Sequence, residues 1–130
     1  MSNSENQEGY GPHLTFDGYN CDPELLNDMK LVFKFLTDLP KSIGMNKLTQ
    51  PYVLSYDGGD KPDDYGVTGI VIIAESHISI HTYPHDKCFF LDIFSCKPFD
   101  VDKAKQIVNF TFKVGNDETN LVLRGKHFRR

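Results

Sequence analysis

The sequence predicts an α+β fold, a mostly antiparallel sheet with helices on one face. Three observations carry this reading. Several short segments alternate apolar and polar residues or form brief β-branched runs, two longer stretches carry a helical period, and the order reads β-α-β-β-β-β-α-β. At 130 residues the chain is one ordinary domain, long enough to bury a core.

The first strand is read in "PHLTFDGYN", residues 12–20, where Leu14, Phe16 and Gly18 alternate with polar neighbours. The period changes in "CDPELLNDMKLVFKFLTDLP". There Leu25, Leu26, Met29, Val32, Phe33, Leu36 and Leu39 recur at helical spacing and define one apolar face. Asp22 is placed to cap this helix, Pro23 suits its first position, Glu24 favours the positive end of its dipole, and Pro40 is expected to end it.

"YVLSY" (52–56) reads as a short strand, and "DGGDKPDD" after it as a loop. The four aspartates of that loop are either a solvated turn or an acidic wall for a cationic substrate. "GVTGIVIIA" (66–74) reads as a buried strand, "HISIHTY" and "KCFFLDIFSC" as the next two, with a tight turn at "PHDK". Asp100 is placed to cap a helix over 101–113, with Val101, Ala104, Ile107, Val108 and Phe112 inward, and "NLVLRG" (120–125) closes the chain as a strand.

Composition narrows function only broadly. The formal charge of −4 argues against nucleic-acid or anionic-membrane partners. No run approaches the roughly 20 apolar residues needed to span a bilayer. Residues 1–11 are polar and glycine-containing, unlike a secretory signal, and read as a flexible tail before a single domain over 12–130. The ending "KHFRR" reads as a solvated terminus. Three cysteines without a CxxC pair fit a reducing cytoplasm, with Cys21 and Cys88 as packing residues.

The stretch "AESHISIHTYPHDKCFFLDIFSC", Ala74–Cys96, concentrates Glu75, Ser76, His77, His81 and Cys96 in one predicted hairpin. With the turn near 85–87, Ser76 lies opposite positions 95–97, so Cys96 becomes its neighbour. A second turn near Glu75–Ser76 places His81 near positions 68–70, which makes Thr68 its candidate neighbour. A hydrolase triad would require an orienting acid and commonly a nucleophile elbow, and neither is evident. His77, His81 and His85 have the spacing of helical metal ligands, but on a strand His77 and His81 would stand about 13 Å apart. Paired polar residues at a sheet edge explain the cluster equally well on this reading alone. His77 could be structural or assist binding, and His13 and His127 carry no argument of their own.

"AESHISIHTYP", with "DIFSC" downstream and "HLTFDGYNCD" upstream, resembles the short prokaryotic S-adenosylmethionine decarboxylase proenzymes, from about Gly11 to Gly125. The resemblance implies a two-layer α/β sandwich that cleaves itself between Glu75 and Ser76, giving a β chain 1–75 and an α chain 76–130. Ser76 would attack the Glu75 carbonyl and end as a covalent pyruvoyl group, with neither metal nor pyridoxal phosphate. That carbonyl would form a Schiff base with the amine of a small cationic amino-acid-type substrate. The family pattern assigns His81 to processing and Cys96 to reprotonation during decarboxylation. Thr68 falls where the family commonly has serine, and keeps the hydroxyl.

Two departures concern the substrate. His85 stands where the family pattern has a ribose-binding glutamate. Pro62 stands near the place of an adenine-stacking aromatic, for which Tyr65 is the nearest candidate. Arginine or ornithine decarboxylation of the same pyruvoyl type is therefore the alternative to S-adenosylmethionine, and a catalytically dead, dimerising regulator is the alternative from another class. The family further implies a cytoplasmic homodimer with its site at the interface, serving spermidine synthesis.

Overall fold

The computed structural model describes residues 9–129. Strands β1 (Gly11–Tyr19), β2 (Tyr52–Tyr56), β3 (Gly66–Ile73), β4 (Ser76–Tyr83), β5 (Cys88–Ser95) and β6 (Asn116–Arg124) form one sheet in the order β2-β3-β4-β5-β1-β6, and every neighbouring pair is antiparallel. Helices α1 (Pro23–Leu26), α2 (Met29–Ser42) and α3 (Val101–Phe112) complete the chain. The core joins Val32, Phe35, Leu36 and Leu39 of α2 and Ala104, Val108 and Phe112 of α3 to Leu14, Phe16, Val71, Ile78, Ile80, Leu91 and Ile93 of the sheet.

The helical stretch after the first strand is two helices, not one. Asp22 Oδ1 accepts the Glu24 N–H at 2.9 Å, and Asp28 Oδ1 accepts the Leu31 N–H at 3.1 Å, so a second cap restarts the helix. The break is held from the sheet side: the buried Thr82 Oγ1 donates to the Leu26 carbonyl at 2.8 Å and accepts the Val67 N–H at 2.9 Å. The restart rotates the buried stripe, so Phe35 is buried while Met29 and Phe33 are 40% and 41% exposed. Pro40 lies inside α2 rather than ending it. So near the C-terminus its missing N–H removes one bond, and its carbonyl still accepts the Met45 N–H at 2.8 Å.

Two further expectations change. The last strand begins at Asn116, four residues early, because it pairs along the whole of β1. Gly9–Gly11 are not tail: Gly11 opens β1 and the Tyr10 N–H donates to the Arg124 carbonyl at 2.8 Å. Residues 1–8 of the expected tail lie outside the described residues.

The helices cover one face of the sheet. The other face presents alternate residues, including His13, Thr68, His77, His81, Asp92 and Phe94, together with Tyr52, Leu54, Tyr56, Ile70, Ile72 and Phe90, which are 39–70% exposed. This open face therefore mixes polar side chains with exposed apolar ones.

Candidate active site

Strand pairing brings one group of chemistry-bearing residues to the corner where β4 begins and β5 ends. Ser76 pairs with Ser95, and the Cys96 N–H donates to the Glu75 carbonyl at 2.8 Å. Ala74 and Glu75 form the turn from β3 to β4, since Ile73 pairs with Ser76. The Glu75 carbonyl is therefore polarised by an N–H on the facing strand, and the Ser76 hydroxyl is carried by the next residue. Ser76 has φ 156°, an unusual backbone value for a residue with a side chain.

The flanks of this corner are fixed. Ser95 is fully buried, and its Oγ donates to the Lys97 carbonyl at 2.7 Å while accepting the Lys97 N–H at 3.0 Å, which folds the chain tightly around Cys96. Gly11 runs against the same turn so closely that a Cβ there would stand 2.0 Å from the Ser95 carbonyl oxygen and 2.8 Å from Cys96 Cα. No side chain fits. Tyr10 lies beside it, its hydroxyl 2.6 Å from Ser76 Oγ and 3.4 Å from the Glu75 carbonyl oxygen.

The Glu75 side chain is anchored separately. It is 6% exposed, and its two carboxylate oxygens accept the Asn46 N–H and the Asn46 Nδ2–H, each at 3.1 Å, with Lys97 Nζ 3.7 Å away. Burial pushes this carboxyl up, but the two Asn46 bonds and the Lys97 charge outweigh it and leave it below its ordinary 4.5. A carboxyl depressed in the folded state stabilises the fold above its unfolded pKa and stops doing so as pH falls through the folded value. In a Ser76→Ala background, which removes the nucleophile, Glu75→Gln should cost about 1–3 kcal/mol at pH 7, because an amide leaves one Asn46 donor facing a donor. That difference should shrink as pH drops below 4.5, and urea unfolding at pH 7 and pH 3 measures it.

The second group is intact but elsewhere. Thr68 pairs with His81 as the register predicts, and Thr68 Oγ1 lies 3.1 Å from His81 Nδ1. Yet His81 sits five residues along β4 from Ser76, about 17 Å at strand rise. His85 and Tyr65 lie further still from Ser76, beyond the Tyr83 end of β4: His85 in the turn Pro84–Asp86, 3.5 Å from the Asp63 carboxylate, and Tyr65 just after the turn Pro62–Asp64. Each chain thus carries two separate groups of these residues along one strand. The chain does not bring Thr68, His81, Tyr65 and His85 to its own Ser76.

Several residues near the corner gave no sequence signal. Asn46 and Lys97 reach Glu75 from loops, and Tyr10 stands in a stretch that composition marks as tail. His13 Nε2 lies 2.9 Å from Asp92 Oδ1, and the rings of His13, His77 and Tyr10 pack on Phe94 with centroids 5.3–5.7 Å apart. Burial, then His13 nearby, hold the His77 imidazole below its ordinary pKa. Cys21 and Cys88 are buried; burial first and the neighbouring Cys88 second push the Cys21 thiol up to about 12, which makes it a poor nucleophile. The 57–64 loop turns on Asp57, whose Oδ1 accepts the Gly59 N–H at 2.9 Å; Asp57, Asp60 and Asp63 face solvent and Asp64 is half-buried.

The architecture is an α+β two-layer sandwich whose hairpin sets a serine hydroxyl and a polarised backbone carbonyl side by side. A family model described as S-adenosylmethionine decarboxylase matches residues 12–125. The chain is 30% identical over 117 residues to an S-adenosylmethionine decarboxylase proenzyme of Clostridium botulinum, covering 89% of this chain and 95% of that protein. With the proenzyme of Thermodesulfovibrio yellowstonii it is 33% identical over 86 residues, 66% of this chain but 58% of that protein's length. With that of Pyrococcus furiosus it is 29% identical over 116 residues, 88% and 78% of the two chains. The fold matches the crystal structure of the adenosylmethionine decarboxylase from Aquifex aeolicus with a TM-score of 0.75 at 23% identity, over 91% of this chain and 92% of that one. This chain belongs to the S-adenosylmethionine decarboxylase family.

Proposed function

We propose that the protein is a self-processing, pyruvoyl-dependent decarboxylase acting on S-adenosylmethionine. One observation carries the processing step: the Glu75 carbonyl accepts the Cys96 N–H at 2.8 Å in the turn that bears the Ser76 hydroxyl. Attack of Ser76 Oγ on the Glu75 carbonyl carbon forms a C–O bond and breaks the C–N bond, turning an amide into an ester. The Cys96 N–H offsets the negative charge that gathers on the carbonyl oxygen meanwhile. Loss of the Ser76 α-proton then breaks the Cβ–Oγ bond and releases Glu75 as a carboxylate C-terminus. Water uptake and loss of ammonia leave a ketone at residue 76. The tight turn around Ser95–Lys97 and the anchored Glu75 side chain suit this sequence, because both sides of the scissile bond are fixed before it reacts.

The imidazole that takes the α-proton belongs on this reading to the partner of a homodimer. Within one chain His81 stands about 17 Å from Ser76. A second copy packed on the apolar open face, with its strands reversed, would set its own Thr68–His81 pair over Ser76. The same packing would bring the partner's Tyr65 and His85 to the substrate, and the half-site geometry supports that arrangement.

The pyruvoyl carbonyl, once formed, supplies an electron sink for loss of CO₂ from an amine-bearing substrate. Cys96 delivers the proton that replaces CO₂ and keeps it off the wrong carbon. Cys96→Ala keeps the backbone N–H that holds the Glu75 carbonyl. Cleavage should therefore persist, while decarboxylation falls about 10²–10⁴-fold in a ¹⁴CO₂-release assay. S-adenosylmethionine is preferred over arginine or ornithine because the matched relatives carry that name. Separate incubations with S-adenosylmethionine, arginine, ornithine and lysine test it. CO₂ from S-adenosylmethionine alone is expected, and CO₂ from arginine or ornithine instead would reassign the substrate. The free cysteines support a reducing cytoplasm as its location.

A further inference from the structure

We propose that Tyr10 is a catalytic residue of the self-cleavage, relaying a proton from the Ser76 hydroxyl to the Glu75 carbonyl oxygen in the first step. This rests on the reading of Ser76 as the nucleophile. The Tyr10 hydroxyl lies 2.6 Å from Ser76 Oγ and 3.4 Å from the Glu75 oxygen, so one phenol touches both the attacking and the receiving atom.

The chemistry needs such a group. As Oγ bonds to the Glu75 carbon, its proton must leave and the carbonyl oxygen becomes negative. With Ser76 donating to the phenol oxygen and the phenol donating to Glu75, two protons move together. Oγ gives its proton to Tyr10, Tyr10 gives its own to the carbonyl oxygen, and the tetrahedral centre forms neutral. When the C–N bond breaks, that hydroxyl proton passes to the departing nitrogen. No charge is left on Tyr10, and no external acid or base is consumed. The Cys96 N–H at 2.8 Å holds the same oxygen from the β5 side. The step assigned to His81, removal of the α-proton, comes later and is a separate transfer.

The phenol is positioned by the fold. Its ring packs on Phe94 at 5.3 Å between centroids and meets the edge of Phe128 at 5.2 Å. Arg124 lies over the Phe94 ring, its guanidinium carbon 4.3 Å from the ring centroid. Gly125, at φ 67°, turns the chain back so that the Phe128 N–H donates to the Gly125 carbonyl at 2.8 Å, and a Cβ on Gly125 would come within 2.6 Å of Tyr10 Cβ. Phe128, in the segment that composition marks as a solvated terminus, forms one wall of the Tyr10 seat.

The test uses Tyr10→Phe, which removes one oxygen and keeps the ring, beside Tyr10→Leu, which removes both. Freshly purified precursors are matched by thermal melting, and cleavage of the folded fraction is followed by mass spectrometry. Both variants should cleave about a hundredfold more slowly than wild type. Neutral hydroxylamine, which splits an ester, should release no 1–75 hydroxamate fragment from Tyr10→Phe, because the ester does not accumulate. In His81→Ala, blocked after the ester, it should release that fragment. Tyr10→Phe cleaving at the wild-type rate while Tyr10→Leu is slow would reduce Tyr10 to packing and overturn the proposal. So would hydroxylamine release from Tyr10→Phe matching that from His81→Ala. A wild-type chain that never cleaves would overturn both this step and the assignment of Ser76.

Discussion

Ser76→Ala is expected to leave the chain whole at 14.8 kDa, with no fragment and no decarboxylation. The corner holds the Glu75 carbonyl against the Cys96 N–H whether or not the hydroxyl is present, so the variant should fold as the precursor does. What it lacks is the one oxygen placed to attack. Wild type should yield two polypeptides dividing at Glu75–Ser76, the smaller one blocked to Edman chemistry because its first residue carries a ketone in place of an amine. Intact-mass measurement after denaturation decides between these outcomes. Cleavage persisting in Ser76→Ala would refute the nucleophile, and an uncleaved wild type would favour a regulator over an enzyme.

A second large effect tests the proposed sharing of one site between two chains. His81→Ala alone should fail to process if, as proposed, each chain's α-proton is removed by the partner's imidazole. Ser76→Ala alone also fails, for want of a nucleophile. When the two inactive variants are co-expressed, the mixed dimer pairs an intact Ser76 on one chain with an intact His81 on the other. The His81→Ala chain should then be cleaved, and the Ser76→Ala chain should not. Distinct affinity tags show which polypeptide divides. If the mixture stays whole, the two half-sites do not meet across a dimer, and the 17 Å separation along β4 (about five strand residues) would need another explanation.

The spacing of Ser76 and His81 along β4 is where the sequence misleads. In the one-dimensional text Ser76 and His81 look like a cluster, and their shared motif encourages that view. A strand converts five residues into a long distance, whereas a helix would have kept them within about 8 Å. Conversely, Ser76 and Cys96 are twenty residues apart and adjacent in space, which the hairpin register made legible because its turn sits at Pro84–Lys87. The pairing of Thr68 with His81 was legible for the same reason.

The helices show a milder form of the same limit. Asp22 was read as a cap, but Asp28, with the same chemistry six residues later, restarts the helix. Thr82, whose hydroxyl holds the Leu26 carbonyl, lies 56 residues away and leaves no local trace. The rotated stripe that buries Phe35 in place of Phe33 follows from that break.

By itself the sequence determined the element types, the antiparallel hairpins and the serine that its motif singles out. These depend on local periodicity and on register, both of which propagate from neighbouring residues. Tertiary structure alone decided that Tyr10, Asn46 and Lys97 surround the Glu75–Ser76 bond, and that His81 does not. Those placements depend on the sheet order β2-β3-β4-β5-β1-β6, which brings the start of β1 and the end of β6 to the corner where β4 begins. Contacts between segments far apart in the chain are set by packing across the whole sheet, and no short window of residues encodes them.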